Sequence, residues 1–204
     1  MSLLNHAVGI ITKPKVEWEA IKNEPMTIAQ VFTGYVAILA LIPAIASFIG
    51  LSLVGVSIPG LISYTIKYPI VDGIINAVVS YIMAFVGVYV AAFIINALAS
   101  NFESTPNMEN AVKLVAFSYT PVWIVGIFSI YPVLGVLSIL GLYGLYLLYL
   151  GLEPMMNTPA TKKMAYLIVS IVVLIVVFLV VGLVVNLVTP KPSFSSYYEA
   201  PYNF

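Results

Sequence analysis

Few side chains in this chain could do chemistry, and their spacing limits what that chemistry is. His6 is the only histidine and cysteine is absent, so there is no histidine pair for a metal or a triad and no thiolate to act as ligand or nucleophile. A lone histidine near the N-terminus is expected to be solvated. No phosphate-cradling Gly-rich motif ends in Lys-Ser or Lys-Thr, and Gly141 and Gly144 read as close-packing positions on a helix. No catalytic residue, metal ligand or cofactor is therefore expected. Asp72 with Lys67, and Glu153 with Lys162 and Lys163, could form pairs, but anchoring at the edge of the long apolar runs they flank is the leading expectation. Asn76 and Asn96 lie within such runs. An amide there wants a partner, so interhelical hydrogen bonding is expected first and a solute path second.

The elements that must carry these residues follow from the distribution of charge. Pro25 to Ile66, Gly73 to Phe102, Leu114 to Leu152 and Met164 to Pro190 each contain no charged residue. With about one residue in four charged in a soluble domain, a single gap of twenty would arise roughly 0.3% of the time. A charge at a helix centre costs about 2.5 to 3.5 kcal/mol in a bilayer, and about twenty apolar residues span the hydrocarbon. With 62% hydrophobic residues, 8% charged residues and no Arg, the chain is predicted to be an all-α, polytopic membrane protein. Net charge is zero with few, scattered lysines, which excludes nucleic-acid binding.

Five spans are predicted at about 28–55, 73–100, 111–130, 133–150 and 164–188. The third and fourth divide the long run at Tyr131 and Pro132. They follow a short amphipathic head, residues 1–24, in which Pro14 opens a helix capped by Thr12 or Lys13. The head is expected to lie in the membrane interface with Trp18 at headgroup depth and lysines facing phosphate, or else to pack on the bundle as an ordinary surface helix. Lysines 13, 15 and 22 precede a first apolar run that passes Ala44 and Ala46 and continues to Gly55, so we expect a retained first span rather than a cleaved leader. Pro59 and Gly60 should open a loop. Thr105 and Pro106 should start the third span, with Glu109 in its first turn. Residues 189–204 read as a disordered external tail.

Within the spans, small residues and prolines carry the pattern. Gly73, Ala77, Ser80, Ala84, Gly87 and Ala91 give the second span a nearly side-chain-free seam that invites close helix approach, so this helix is expected to be central. Pro43 should kink the first span. Pro121 should free the carbonyl of Phe117 in the third, with Ser118 and Thr120 near enough to help satisfy it. Pro43, Tyr119 and Pro121 are thus the candidate hinge or partner-binding positions. The fourth span carries Gly135, Ser138, Gly141, Gly144 and Gly151, with tyrosines 143, 146 and 149 wrapping part of the helix. Six lysines (13, 15, 22, 113, 162, 163) against two (67, 191) predict a multi-pass cell-membrane protein with its N-terminus cytoplasmic and its C-terminus external.

Several of these residues taken in order resemble the Yip domain family of Ypt-interacting membrane proteins, in its prokaryotic branch. They are Pro14, Trp18, Ile21 and Pro25 in the head, Tyr35 and Leu41-Ile42-Pro43-Ala44 in the first span, Ser118-Tyr119-Thr120-Pro121 in the third and Leu148-Tyr149-Leu150-Gly151-Leu152 closing the fourth. The resemblance covers roughly 14–188 and implies a five-span fold. Eukaryotic members carry Asp-Leu-Tyr-Gly-Pro in the head and are linked to Rab-type GTPases. That motif is absent here, so the resemblance carries over the fold rather than the GTPase partner. The expected function is a non-enzymatic scaffold, partner-binding or membrane-organising component in contact with lipid and with a protein partner or further copies of itself. Two alternatives remain: a channel or facilitator for a small neutral solute, and an accessory subunit of a larger complex.

Overall fold

The computed structural model describes residues 5–58 and 64–188. These form an all-helical bundle with one short antiparallel ribbon, Val56–Ile58 against Tyr64–Ile66. Five helices are long and apolar enough to cross a membrane: Ile28–Val54, Ile70–Phe102, Met108–Ile130, Pro132–Met156 and Ala160–Val188, hereafter spans one to five. Two head helices precede them, α1 (Asn5–Thr12) and α2 (Pro14–Asn23). The loop expected at Pro59 and Gly60 and the tail expected after residue 188 lie outside the described residues.

Local chemistry sets the element boundaries. Pro14 occupies the first position of α2, where its missing N–H would be unpaired in any case. Span three begins at Met108 rather than at Thr105 and Pro106, because the Asn107 side chain accepts the Asn110 N–H at 2.9 Å and so makes Asn107 the cap. Span one is irregular: wide π-turns at Phe32–Val36 and Ile49–Val54 flank α-helical segments that meet at Ala40. Pro43 lies in the first turn of the second segment, where its lack of an N–H deprives the Leu39 carbonyl of its helical donor. Span three breaks at Tyr119 and restarts at Thr120. The Phe117 carbonyl, which Pro121 cannot serve, accepts the Thr120 hydroxyl at 2.7 Å.

Span three is the central helix. Of its apolar stretch 61% is buried inside the protein, against 22% for span two, so the expectation of a central span two is corrected. A small-residue seam permits close approach but does not dictate how many neighbours surround a helix. Span two packs against spans one, three and five, and span three against spans one, two and four and against α1.

The bundle is packed unequally along its length. The largest fully buried side chains, among them Trp18, Tyr35, Ile95, Phe117, Leu148 and Tyr166, gather where the head helices sit. Toward the opposite end, marked by the Tyr131–Pro132 hairpin between spans three and four, apolar side chains such as Ile74, Ile82, Val133, Ile139, Val172 and Leu179 are exposed, as a surface facing hydrocarbon requires. The molecule thus has a tightly packed head end and a loosely packed hairpin end.

Candidate functional site

At the head end the short N-terminal helices are built into the bundle. Trp18 is 1% exposed and its Nε1 donates to the Leu147 carbonyl at 3.1 Å, so its ring is a buried anchor on span four and does not face lipid. Its ring meets Phe117 edge-on, 6.4 Å between centroids, and covers Gly151, where a Cβ would fall 2.7 Å from the indole. Only a glycine on span four lets α2 lie that close. The Tyr143 hydroxyl donates to the Ile11 carbonyl at 3.0 Å, fixing α1 to the same span.

His6 is likewise buried, 1% exposed, which corrects the expectation of a solvated side chain. Its Nδ1 faces Glu17 Oε1 and its Nε2 lies 2.8 Å from Glu24 Oε2, so each ring nitrogen meets a carboxylate of α2 or its cap. The ring also packs edge-on to Phe117 at 5.8 Å. Gly9 allows the turn between the head helices to close, since a Cβ there would run into the Glu17 carboxylate. The cluster ties α1 to both ends of α2.

Lys113, within the third span as expected, is buried. Its Nζ donates to the Glu24 carbonyl at 2.8 Å, placing a cation where α2 ends and complementing its dipole. The two remaining head-end loops are joined to each other. The Thr105 N–H donates to the Met156 carbonyl at 2.8 Å and the Ser104 hydroxyl to Thr158 Oγ1 at 2.9 Å. Lys162 pairs with Glu103 at 3.1 Å, while Lys163 pairs with Glu153 at 3.0 Å and lies 4.5 Å above the Tyr149 ring. Of the pairs the sequence offered for Glu153, the one with Lys163 is made, while Lys162 turns to Glu103. The head and the paired loops after spans two and four are thus each held against the same end of the bundle, where Lys13, Lys15, Val16, Glu19 and Lys22 of the head remain exposed.

Toward the hairpin end, spans three, four and five diverge around a crevice of about 530 Å³. Pro43 and Tyr119 line it, but the buried Pro121 does not. The crevice is widened by a strip of small residues on span four. Gly135, Ser138, Gly141 and Gly144 all line it, and Pro132–Leu142 is a 3₁₀ helix, in which residues three apart eclipse one another. The three-residue step that would drift around an α-helix is here a straight groove. Close approach frames it: a Cβ at Gly126 would lie 2.6 Å from Pro43 Cβ, and one at Gly144 would lie 2.5 Å from the Ser118 carbonyl oxygen.

The other predicted positions are dispersed along span two. A Cβ at Gly73 would strike the Ser52 hydroxyl and one at Gly87 would rest 3.8 Å from Val181; Ala91 is buried, and Ala77, Ser80 and Ala84 are half-buried. Asn76 is half-buried. Asn96 Oδ1 is buried with no hydrogen-bond partner among the described residues, so the interhelical bond expected of it is not made by this atom. Neither amide lines the crevice. Sequence reasoning missed the clasp of His6 between Glu17 and Glu24, because the three residues follow no common helical period. It also missed the straight groove, whose signal, four small residues at three-residue steps, was read with α-helical geometry.

No curated protein and no solved structure matches the chain. The family profile described as Yip1 domain does, over residues 8–182. That range takes in most of the head clasp, all of the crevice and nearly all of the five membrane-spanning helices, and the chain belongs to the Yip1 domain family.

Proposed function

We propose that this membrane protein works without catalysis, as a scaffold that presents a preformed, partner-binding surface at its head end. The observation that carries this reading is that three separate segments are held in place at one end of the bundle. The head is held by His6, Trp18 and Lys113, and the two loops by Ser104, Thr158 and the Lys162 and Lys163 pairs. Buried polar clusters of this kind specify a single arrangement. A surface that is already ordered loses little conformational entropy when a partner docks. The lysine count favours the cytoplasm for this face and stands at five to two even with the buried Lys113 set aside.

Photo-crosslinking in native membranes tests the reading. A benzophenone side chain at Val16, which is 69% exposed on the head, is expected to yield a discrete protein adduct, and one at Tyr131, 58% exposed at the hairpin, to yield lipid adducts only. Protein adducts of equal yield from both sites, or from neither, would contradict a head-end docking face.

A further inference from the structure

The turn that joins the two head helices lies lower on the bundle than the rest of the head. The Tyr143 hydroxyl holds the Ile11 carbonyl at 3.0 Å, and α1 also packs against Thr120–Val125, beyond the break in span three. Thr12 and Lys13 follow directly. The head is thus a helical hairpin whose tip points along the spans.

The opposite border of the membrane sets the depth of that tip. A Cβ at Gly73 would strike the Ser52 hydroxyl and one at Gly50 the Ser129 carbonyl, so Asp72 lies within about one turn of the Tyr131–Pro132 hairpin. Its charge marks the far edge of the hydrocarbon. From Pro132 the 3₁₀ segment to Leu142 rises about 22 Å, and the remaining ~8 Å of a ~30 Å core takes about five α-helical residues more, to Leu147 or Leu148. Span two agrees. Counted from Asp72, ~30 Å of α-helix ends about twenty residues on, near Ala92, and the exposed large apolar side chains of this span stop at Phe93. Tyr143, and with it Ile11, therefore lies about 8 Å inside the head-side edge of the hydrocarbon.

The chemistry of the tip fits that depth. Its carbonyls are served without water: Val8 accepts the Thr12 hydroxyl at 2.8 Å, Gly9 the Lys13 N–H at 2.7 Å, Lys13 the Glu17 N–H at 3.0 Å, and Ile11 the tyrosine. Backbone in lipid requires this. Val8, 67% exposed, presents an apolar side chain where the surroundings are hydrocarbon. Lys13 and Lys15 are exposed and make no ion pair among the described residues, not even with Glu19 one turn along α2. An ammonium on a flexible stem at this level rises to the nearest counter-charge. Above the edge that is lipid phosphate.

We infer that the α1–α2 turn is set into the head-side leaflet as a wedge, with Lys13 and Lys15 reaching up to the phosphates of anionic lipid. The face of α2 above the turn stays open to a partner, so the inference goes beyond the scaffold reading without resting on it.

The test uses the full chain reconstituted in phosphatidylcholine vesicles with one nitroxide, at Val8→Cys or at Lys22→Cys, and two collision agents, oxygen for hydrocarbon and a nickel chelate for water. The Val8 label is expected to lose its collisions with the chelate and keep those with oxygen, while the Lys22 label meets the chelate freely. A second measurement needs no substitution. Lysines of the unsubstituted chain are acylated with a water-soluble reagent and their rates read by mass spectrometry, Lys22 serving as the internal reference. Adding phosphatidylglycerol should slow Lys13 and Lys15 about five-fold relative to Lys22, the factor that corresponds to ~1 kcal/mol of attraction per lysine at an anionic surface. Chelate collisions at Val8 equal to those at Lys22 would overturn the immersion of the turn, and relative rates that phosphatidylglycerol leaves unchanged would overturn the phosphate contact. No protein partner enters either readout, so failure here and failure of the scaffold reading are separable.

Discussion

The Tyr35 hydroxyl lies 2.5 Å from Thr120 Oγ1, joining the π-turn of span one to the restarted helix of span three. Thr120 already donates to the Phe117 carbonyl, so Tyr35 is the donor and Thr120 the relay. One buried chain of hydroxyls thus serves the Phe117 carbonyl and ties the π-turn of span one to the break in span three, with the Tyr35 ring tilted against Phe117 at 4.2 Å between centroids.

That direction of donation makes the two partners unequal. Tyr35→Phe removes one bond and should cost about 1 kcal/mol, whereas Thr120→Val orphans both the Tyr35 hydroxyl and the Phe117 carbonyl and should cost about 3 kcal/mol. Denaturant unfolding in detergent micelles measures both. A larger loss in Tyr35→Phe would reverse the assignment.

Removal of the His6 ring takes away the group that bridges Glu17 and Glu24. His6→Ala should destabilise the protein by about 2 to 3 kcal/mol and expose the α1–α2 turn to limited proteolysis. A solvated histidine would give no change in either measurement.

Lys113 separates two views of a charge within an apolar helix. If it only paid the cost of burial, Lys113→Met would stabilise. Because its Nζ serves the end of α2, the substitution should instead cost about 1 to 3 kcal/mol, read as a lower midpoint in the same unfolding assay.

Glycines of the two bundle ends should respond in opposite ways. At Gly151 of the head end an added Cβ would fall 2.5 Å from Leu114 Cδ1 and 2.7 Å from the Trp18 indole, so Gly151→Ala should lower stability by about 2 kcal/mol or more, on the order of other overpacked sites. At Gly182 a Cβ meets nothing within 4 Å, and Gly182→Ala should be neutral or stabilising by up to about 1 kcal/mol. Comparing the thermal midpoints of the two variants checks the unequal packing along the bundle.

The membrane layout was legible because lipid leaves a coarse and unambiguous mark: charge is missing wherever the chain crosses hydrocarbon. Pro121 and Thr120 were legible as a helix break with its own remedy, since the freed carbonyl and the nearby hydroxyl are both local. What sequence hid was long-range. Trp18 reads as amphipathic whether it faces headgroups or Leu147, and a segment's polarity does not say which neighbour covers it. His6 gave no periodic signal because its partners lie eleven and eighteen positions away on another helix. The Gly135-to-Gly144 groove required knowing that the fourth span opens as a 3₁₀ helix, since the same spacing on an α-helix spreads around the axis.

Because the chain lacks cysteine, single spin labels can be placed at will, and the distance between labels at Val8 of α1 and Ala160 at the start of span five tests directly whether the head is fixed to the bundle. In membranes the account predicts one narrow distance distribution that broadens in His6→Ala. A distribution in the unsubstituted chain already as broad as in His6→Ala would show a tethered head and contradict a preformed docking face.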